Sequence, residues 1–218
     1  TRGAERTSWR AAIAVTPVSM ERLTEALDWP RMSGIFSASI PGIRQDGSTI
    51  ALDGALVVQV FDGFASVTDL KLIEPFGRVP RLFADVELRN LDLEMLTRTF
   101  SFGSISGRID GDLKGLELAG LRPLRFDARI ESSPGGYRKR ISQRAVQNIS
   151  ALGGAGAAAA IQRSVLRVFE EFSYGKLGLR CVLRDGVCTM GGVEPADNGY
   201  VIVKGAGIPA ISVIGYNR

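Results

Sequence analysis

The sequence predicts a mainly β chain, β-rich α+β, in which repeated strand units build an antiparallel sheet carrying short helices. Three observations predict it. Apolar and charged residues alternate with period two along several segments, the mark of a sheet with one dry and one wet face. Asp-Gly pairs separate those segments, as antiparallel hairpins require. One stretch also recurs: Leu23–Ile43 lies beside Leu96–Leu116 at a constant offset of 73 residues, with Leu23/Leu96, Thr24/Thr97, Ser33/Ser106, Gly34/Gly107 and Gly42/Gly115 identical.

Residues 1–137 read as these repeated helix–strand units. Each copy opens with a short helix. Ser19 caps the one carrying Met20, Leu23 and Leu27, and Asp92 caps the one carrying Leu93, Leu96 and Phe100. An aromatic turn residue follows, Trp29 or Phe102, and a Ser-Gly pair then opens a strand. In the second copy Ile109, Gly111 and Leu113 alternate with Arg108, Asp110, Asp112 and Lys114; Phe36, Ala38 and Ile40 hold the matching positions in the first. Leu82, Ala84 and Val86 alternate with Phe83, Asp85 and Glu87, and Phe126, Ala128 and Ile130 alternate with Arg125, Asp127 and Arg129. The run Ala55–Phe61 is apolar at both phases and is expected to be covered on both faces. Asp46-Gly47, Asp53-Gly54, Asp62-Gly63 and Asp185-Gly186 are the expected hairpin turns.

Residues 138–172 read as a helical pair, from about Arg138 to Leu152 and from about Gly156 to Phe172, broken at Gly153-Gly154. The first helix carries Ile141, Ala145, Val146 and Ile149 at helical spacing, the second Ile161, Val165, Leu166 and Phe169. Two readings of the pair stand: a cap on one end of the sheet, or a membrane-surface element with Arg138, Lys139, Arg140 and Arg144 near anionic headgroups. Residues 173–218 read as hairpins completing the sheet. There Leu177, Leu179, Cys181 and Leu183 continue the apolar phase. If the hairpin around Asp185-Gly186 sets Cys181 opposite Cys188, the two form a disulfide and the chain belongs in an oxidising compartment; the other reading is two unlinked buried cysteines one register off. Tyr200, Val201 and Val203, with Ile211 and Val213, lie on the last strands and are expected to offer an edge to a partner strand.

Composition excludes several functions. The chain has 218 residues and no histidine, so it contains no Ser-His-Asp triad, no Cys-His pair and no His-ligated zinc. Two cysteines cannot build a Cys₄ zinc site or an iron–sulfur cluster. We expect no catalytic residue, no metal and no cofactor. The Asp110-Gly-Asp112 pair reads as a solvated strand face, Gly153-Gly154 as a helix break and Glu194 to Asp197 as a turn. A net charge of +4, with signs alternating along each strand, argues against a nucleic-acid partner. No run of 18 apolar residues spans a membrane. The chain begins at Thr1 without Met or a signal-peptide pattern, and we read it as a piece of a longer protein.

Continuous apolar strand faces suit acyl chains, whose methylenes each gain about 0.8 kcal/mol when kept from water. The expected lining is Phe36, Ala38, Ile40, Leu82, Ala84, Val86, Ile109, Gly111, Leu113, Phe126, Ala128 and Ile130. The same pattern also fits an ordinary closed core, and from the residues alone both remain open.

The run Leu91–Thr97, with Phe100-Ser101-Phe102-Gly103, Gly107 and Asp110-Gly111, resembles the unit of AsmA-like proteins. Ile141–Ala145, Phe169–Phe172, Leu179–Cys181, Gly186–Cys188, Gly192–Pro195 and the ending Ile214–Arg218 resemble the C-terminal region of the YdbH-like family within them. Together these stretches cover most of residues 80–218; residues 1–80 match only through the internal repeat. The resemblance implies a periplasmic bridge-like protein, anchored in the inner membrane by a segment outside this chain and reaching the outer membrane. It implies a sheet curled into a β-taco groove that carries phospholipid or another acyl lipid. It also implies a small outer-membrane lipoprotein as partner, joined by strand addition. The alternative expectation is a closed β-rich scaffold or binding module for outer-membrane assembly that conducts no lipid.

Overall fold

The structure, a computed structural model, describes residues 8–152 and 169–216. Among them fourteen strands join in one sheet. They are β1 (Ser8–Ser19), β2 (Gly34–Asp46), β3 (Thr49–Asp53), β4 (Leu56–Val60), β5 (Gly63–Ile73), β6 (Arg81–Asp92), β7 (Arg108–Ala119), β8 (Arg122–Ser132), β9 (Arg140–Ser142), β10 (Glu171–Arg184), β11 (Val187–Gly192), β12 (Glu194–Ala196), β13 (Gly199–Gly205) and β14 (Val213–Tyr216). Helices α1 (Met20–Ala26), α2 (Leu93–Thr99) and α3 (Gln143–Leu152) are short. From β1 to β8 and on to β10 the sheet is an antiparallel meander that curves without closing into a barrel. The fold is therefore β-rich α+β.

The internal repeat holds at atomic detail and reaches further back than the sequence identities. β1, α1 and β2 correspond to β6, α2 and the start of β7 at the same offset of 73, as Met20 against Leu93 shows. Ser19 accepts from the Arg22 N–H, and Asp92 accepts from the Met95 N–H at 2.9 Å. Both caps satisfy a helix-start donor that has no partner within the helix. Thr24 and Thr97 are buried, and each hydroxyl donates to a carbonyl four residues back, Met20 or Leu93, at 2.8 Å. Each also accepts a main-chain N–H eight residues on, from Met32 at 3.4 Å and Ile105 at 3.3 Å. That pair of bonds folds the chain back after the helix. Gly34 and Gly107 then enter the next strand at φ +135° and +129°, a region closed to side chains, which explains the repeated Ser-Gly.

Curvature has a local cause. Register shifts interrupt the β1–β2, β5–β6, β6–β7 and β7–β8 ladders, and Asp69, Asn90 and Gly115 take positive φ beside them. A bulge bends its strand and raises the local twist, so a row of bulges coils the sheet.

Five expectations need correction. Arg138 to Ser142 is not helical: β9 pairs Arg140–Ser142 with the start of β10, and Ile141 also bridges Ile105. Main-chain pairing there overrides the helical spacing that Ile141 shares with Ala145 and Ile149. Glu171 and Phe172 likewise open β10 rather than end a helix; Ile161, Val165 and Leu166 lie outside the described residues. Asp53-Gly54 makes no hairpin, because β3 and β4 both lie between β2 and β5 as one interrupted strand. β4 is not covered on both faces: Leu56, Val58 and Val60 are half-buried while Val57 and Gln59 are exposed. The Asp62-Gly63 turn falls one residue earlier, at Phe61-Asp62, where both residues take positive φ.

Buried side chains concentrate at the end of the sheet where α2, α3, β9, β10, β13 and β14 meet. Ile105, Ile141, Val146, Phe172, Val203 and Val213 form this cluster. Tyr174 is buried in it and donates its hydroxyl to the Ser106 carbonyl at 2.7 Å, and burial pushes its phenol well above the ordinary range.

Candidate functional site

Residues opposite one another in an antiparallel ladder share a face. Phe36, Ala38 and Ile40 face Val18, Val15 and Ile13 of β1. On β6, Val86 faces Val67 and Leu113, while Ala84 faces Leu116. Leu113 and Gly111 in turn face Ala128 and Ile130 on β8, and those face Cys181 and Leu179 on β10. Phe126 faces Leu183. Leu82 faces Leu72 and Leu118, and Ile109 faces Leu91. The chain of pairings thus carries all twelve anticipated positions onto one apolar face running from β1 to β11. The side chain of Ala38 lies outside the described set. Ile109 and Ala84 are buried, Gly111 is enclosed, and Phe36, Ile40, Leu82, Val86, Leu113, Phe126 and Ala128 are half-buried. Ile130 is exposed to 38%.

Most of this apolar face is half-buried, and among the described residues α2 and α3 cover it at the end that carries Ile109, Ile130 and Leu179. The helices stand at the ends of strands, α1 beside β1 and β2, α2 beside β6, α3 beside β9 and β14. The opposite face is wet. Arg89 pairs with Asp112 at 2.7 Å, Arg129 with Glu131 at 2.8 Å and Arg180 with Asp127 at 2.6 Å. The Arg180 guanidinium holds the Asp127 carboxyl below its usual range. Asp110 is occupied by the Asn90 N–H and the Ser133 hydroxyl, both at 2.8 Å, and no cluster of potential metal ligands occurs among the described residues.

At the end of the apolar face lies a cavity of about 330 Å³. Leu93, Leu96 and Phe100 of α2 and its turn wall one side, Ile109, Ile130 and Leu179 the sheet side, and Ile149 of α3, Leu177 and Ile202 the far end. Thr97 is the one polar residue type on its wall, and its hydroxyl is already engaged by Leu93 and Ile105. Of the anticipated lining only Ile109 and Ile130 reach this cavity. The sequence signal for the rest was present as the apolar stripe of α2, but a stripe alone does not say whether it closes against a strand or leaves a hollow.

Cys181 and Cys188 are joined by a disulfide with Cα atoms 5.6 Å apart. They are diagonal, not opposite: Cys181 faces Met190 and Cys188 faces Leu183. Asp185 and Gly186 both take positive φ, a two-residue turn that forces Arg184 opposite Val187 and sets this register. The expected partner edge is also displaced. Tyr200, Val201 and Val203 are on β13, which pairs with β12 and β10 on one side and β14 on the other, so they are interior and buried. Ile211 precedes β14 and is buried. Val213 is on β14, which pairs with β13 alone among the described residues, and its side chain is buried.

No family model, no curated protein and no solved structure matches the chain.

Proposed function

We propose that the chain is a lipid-conducting segment of a periplasmic bridge-like protein, of the YdbH-like kind its motifs resemble. The observation that carries this reading is the continuous, mostly half-buried apolar face from β1 to β11, ending in an apolar cavity of about 330 Å³. An acyl chain needs continuous apolar surface, and its headgroup can stay in water, so conduction needs neither a specific polar pocket nor a catalytic group. Phospholipid tails run along this face between the inner and outer membranes, and the cavity beside α2 holds part of a tail at the C-terminal end. The disulfide suits an oxidising compartment. The edge of β14, paired on one side only among the described residues, is where a strand of a small lipoprotein adds, and the inner-membrane anchor belongs to the rest of a longer chain.

The test is whether the purified protein carries lipid. Native mass spectrometry and organic extraction are expected to find bound phospholipid, and Ala128→Asp, which sets a carboxylate on the apolar face, is expected to release it. The variant is expected to block lipid transfer in cells while still folding. Protein free of acyl lipid, together with an Ala128→Asp variant that transfers lipid normally, would falsify this reading in favour of a non-conducting scaffold.

A further inference from the structure

The sheet has two long rims. α1, α2 and the Phe61-Asp62 turn lie at one. Successive pairings of Thr49 with Ile73, Ile73 with Arg81, Arg81 with Ala119 and Ala119 with Arg122 gather the other set of turns at the opposite rim. The Gly120 N–H donates to the Pro80 carbonyl at 2.7 Å and ties two of those turns together. Each of these two turns carries a large apolar side chain held out from the protein. Phe76 is 96% exposed and Leu121 95%. Exposure this complete leaves both side chains unused by the fold.

Basic residues follow these tips closely in the chain. Arg78 follows Phe76 in its loop, and Arg122 and Arg125 follow Leu121 along β8. None of the three takes part in an ion pair among the described residues. Glu74 is the one acid in the first loop, and residues 118–126 contain none. Exposed apolar tips and exposed guanidinium groups thus stand side by side along this rim. A bilayer surface offers both partners, an acyl boundary for the apolar side chains and a layer of phosphates for the guanidinium groups. A flat protein surface offers no reason for apolar side chains on separate hairpin tips with unpaired cations beside them.

We propose that this rim docks on an anionic bilayer, with Phe76 and Leu121 entering the acyl boundary and Arg78, Arg122 and Arg125 meeting lipid phosphates. The docking does not depend on lipid conduction by the apolar face. It would hold the open sheet against a membrane by its turns.

The experiment is co-sedimentation of the 218-residue chain with vesicles of phosphatidylcholine alone and of phosphatidylcholine with one quarter phosphatidylglycerol. Binding is expected to the anionic vesicles only and to fall with salt. The double variant Phe76→Ser/Leu121→Ser and the triple variant Arg78→Gln/Arg122→Gln/Arg125→Gln are each expected to weaken it about tenfold or more. Both change exposed side chains, and unchanged circular dichroism checks that they fold. Ile208, 91% exposed on a different loop, is the control, and Ile208→Ser is expected to bind as the parent does. Ala128→Asp is also expected to bind normally, which separates this proposal from the conduction reading. Absence of binding, equal binding to both vesicles, or an Ile208→Ser loss matching the double variant would overturn the proposal. Concentration-dependent self-association that the double variant abolishes, without vesicle binding, would instead make the rim a protein interface.

Discussion

Thr24 and Thr97 show what identity at a repeat position means physically. Each is a buried hydroxyl that donates to a carbonyl four residues back and accepts from an N–H eight residues on, so neither of its polar functions faces water. Thr97→Val keeps the shape and leaves the Ile105 N–H without that acceptor, at a cost of about 1–3 kcal/mol. Thr24→Val is expected to lose a similar amount, and chemical denaturation of the two variants checks this. Valine at Thr97 without loss would mean that the hydroxyl holds nothing. Gly103 is a different case. It sits at φ +116°, and an added Cβ would lie 2.7 Å from the Ala145 nitrogen at the start of α3. Gly103→Ala is expected to destabilise by more than about 1 kcal/mol through strain and displacement of α3. The repeated threonines were visible in the sequence as identities, because the same bonds demand the same residue. The Gly103 requirement was not, because it comes from a helix forty residues away.

At the scale of elements, the strands were legible wherever one face is wet, since alternation then appears directly in the residue order. β6, β7 and β8 are of this kind. Elements whose partners are distant in sequence were misread. β9 carries a helical spacing and is a strand because β10 and Ile105 pair with it. β13 lies near the end of the chain and is interior because β14 folds back outside it. The cysteine hairpin shows an intermediate case: its turn was legible in Asp185-Gly186, but its register follows from that turn having two residues. The disulfide spans a sequence separation of 7, so it closes a short loop and restricts the unfolded chain only modestly. Cys181→Ala/Cys188→Ala is expected to lower stability by about 2 kcal/mol and to leave the rest of the sheet folded. Denaturation with and without reductant, alongside the double variant, measures this. Complete unfolding on reduction would show that the hairpin organises β10 as a whole.

For the whole molecule, the missing histidine becomes a statement about pH. The two cysteines are bonded and do not titrate, so no side chain has its ordinary pKa between about 6 and 8. Two carboxylates are held low, Glu21 by the Ser19 hydroxyl and Asp127 by Arg180. A lowered folded-state pKa adds stability above the unfolded value, near 4, and that stability is lost as pH falls through the folded value. Both groups are exposed enough that the loss is small. Tyr174 and Tyr200 are shifted the other way, upward, by burial. A raised folded-state pKa adds stability below the unfolded value, near 10, and loses it as pH rises toward the folded one. The urea midpoint is therefore expected to be level from about pH 6 to 8, to decline gently below about pH 4 and to fall above about pH 10. The alkaline limb belongs mainly to Tyr174, which lies in the cluster joining β10 to β7 and β9. Its slope there approaches about 1.4 kcal/mol per pH unit, one proton held by the folded state alone. Tyr174→Phe removes the titrating group, so it is expected to be less stable at neutral pH, having lost the bond to Ser106, yet flatter above pH 10. A parent midpoint that shifts between pH 6 and 8, or a Tyr174→Phe curve with an undiminished alkaline slope, would show that another group couples the sheet to pH.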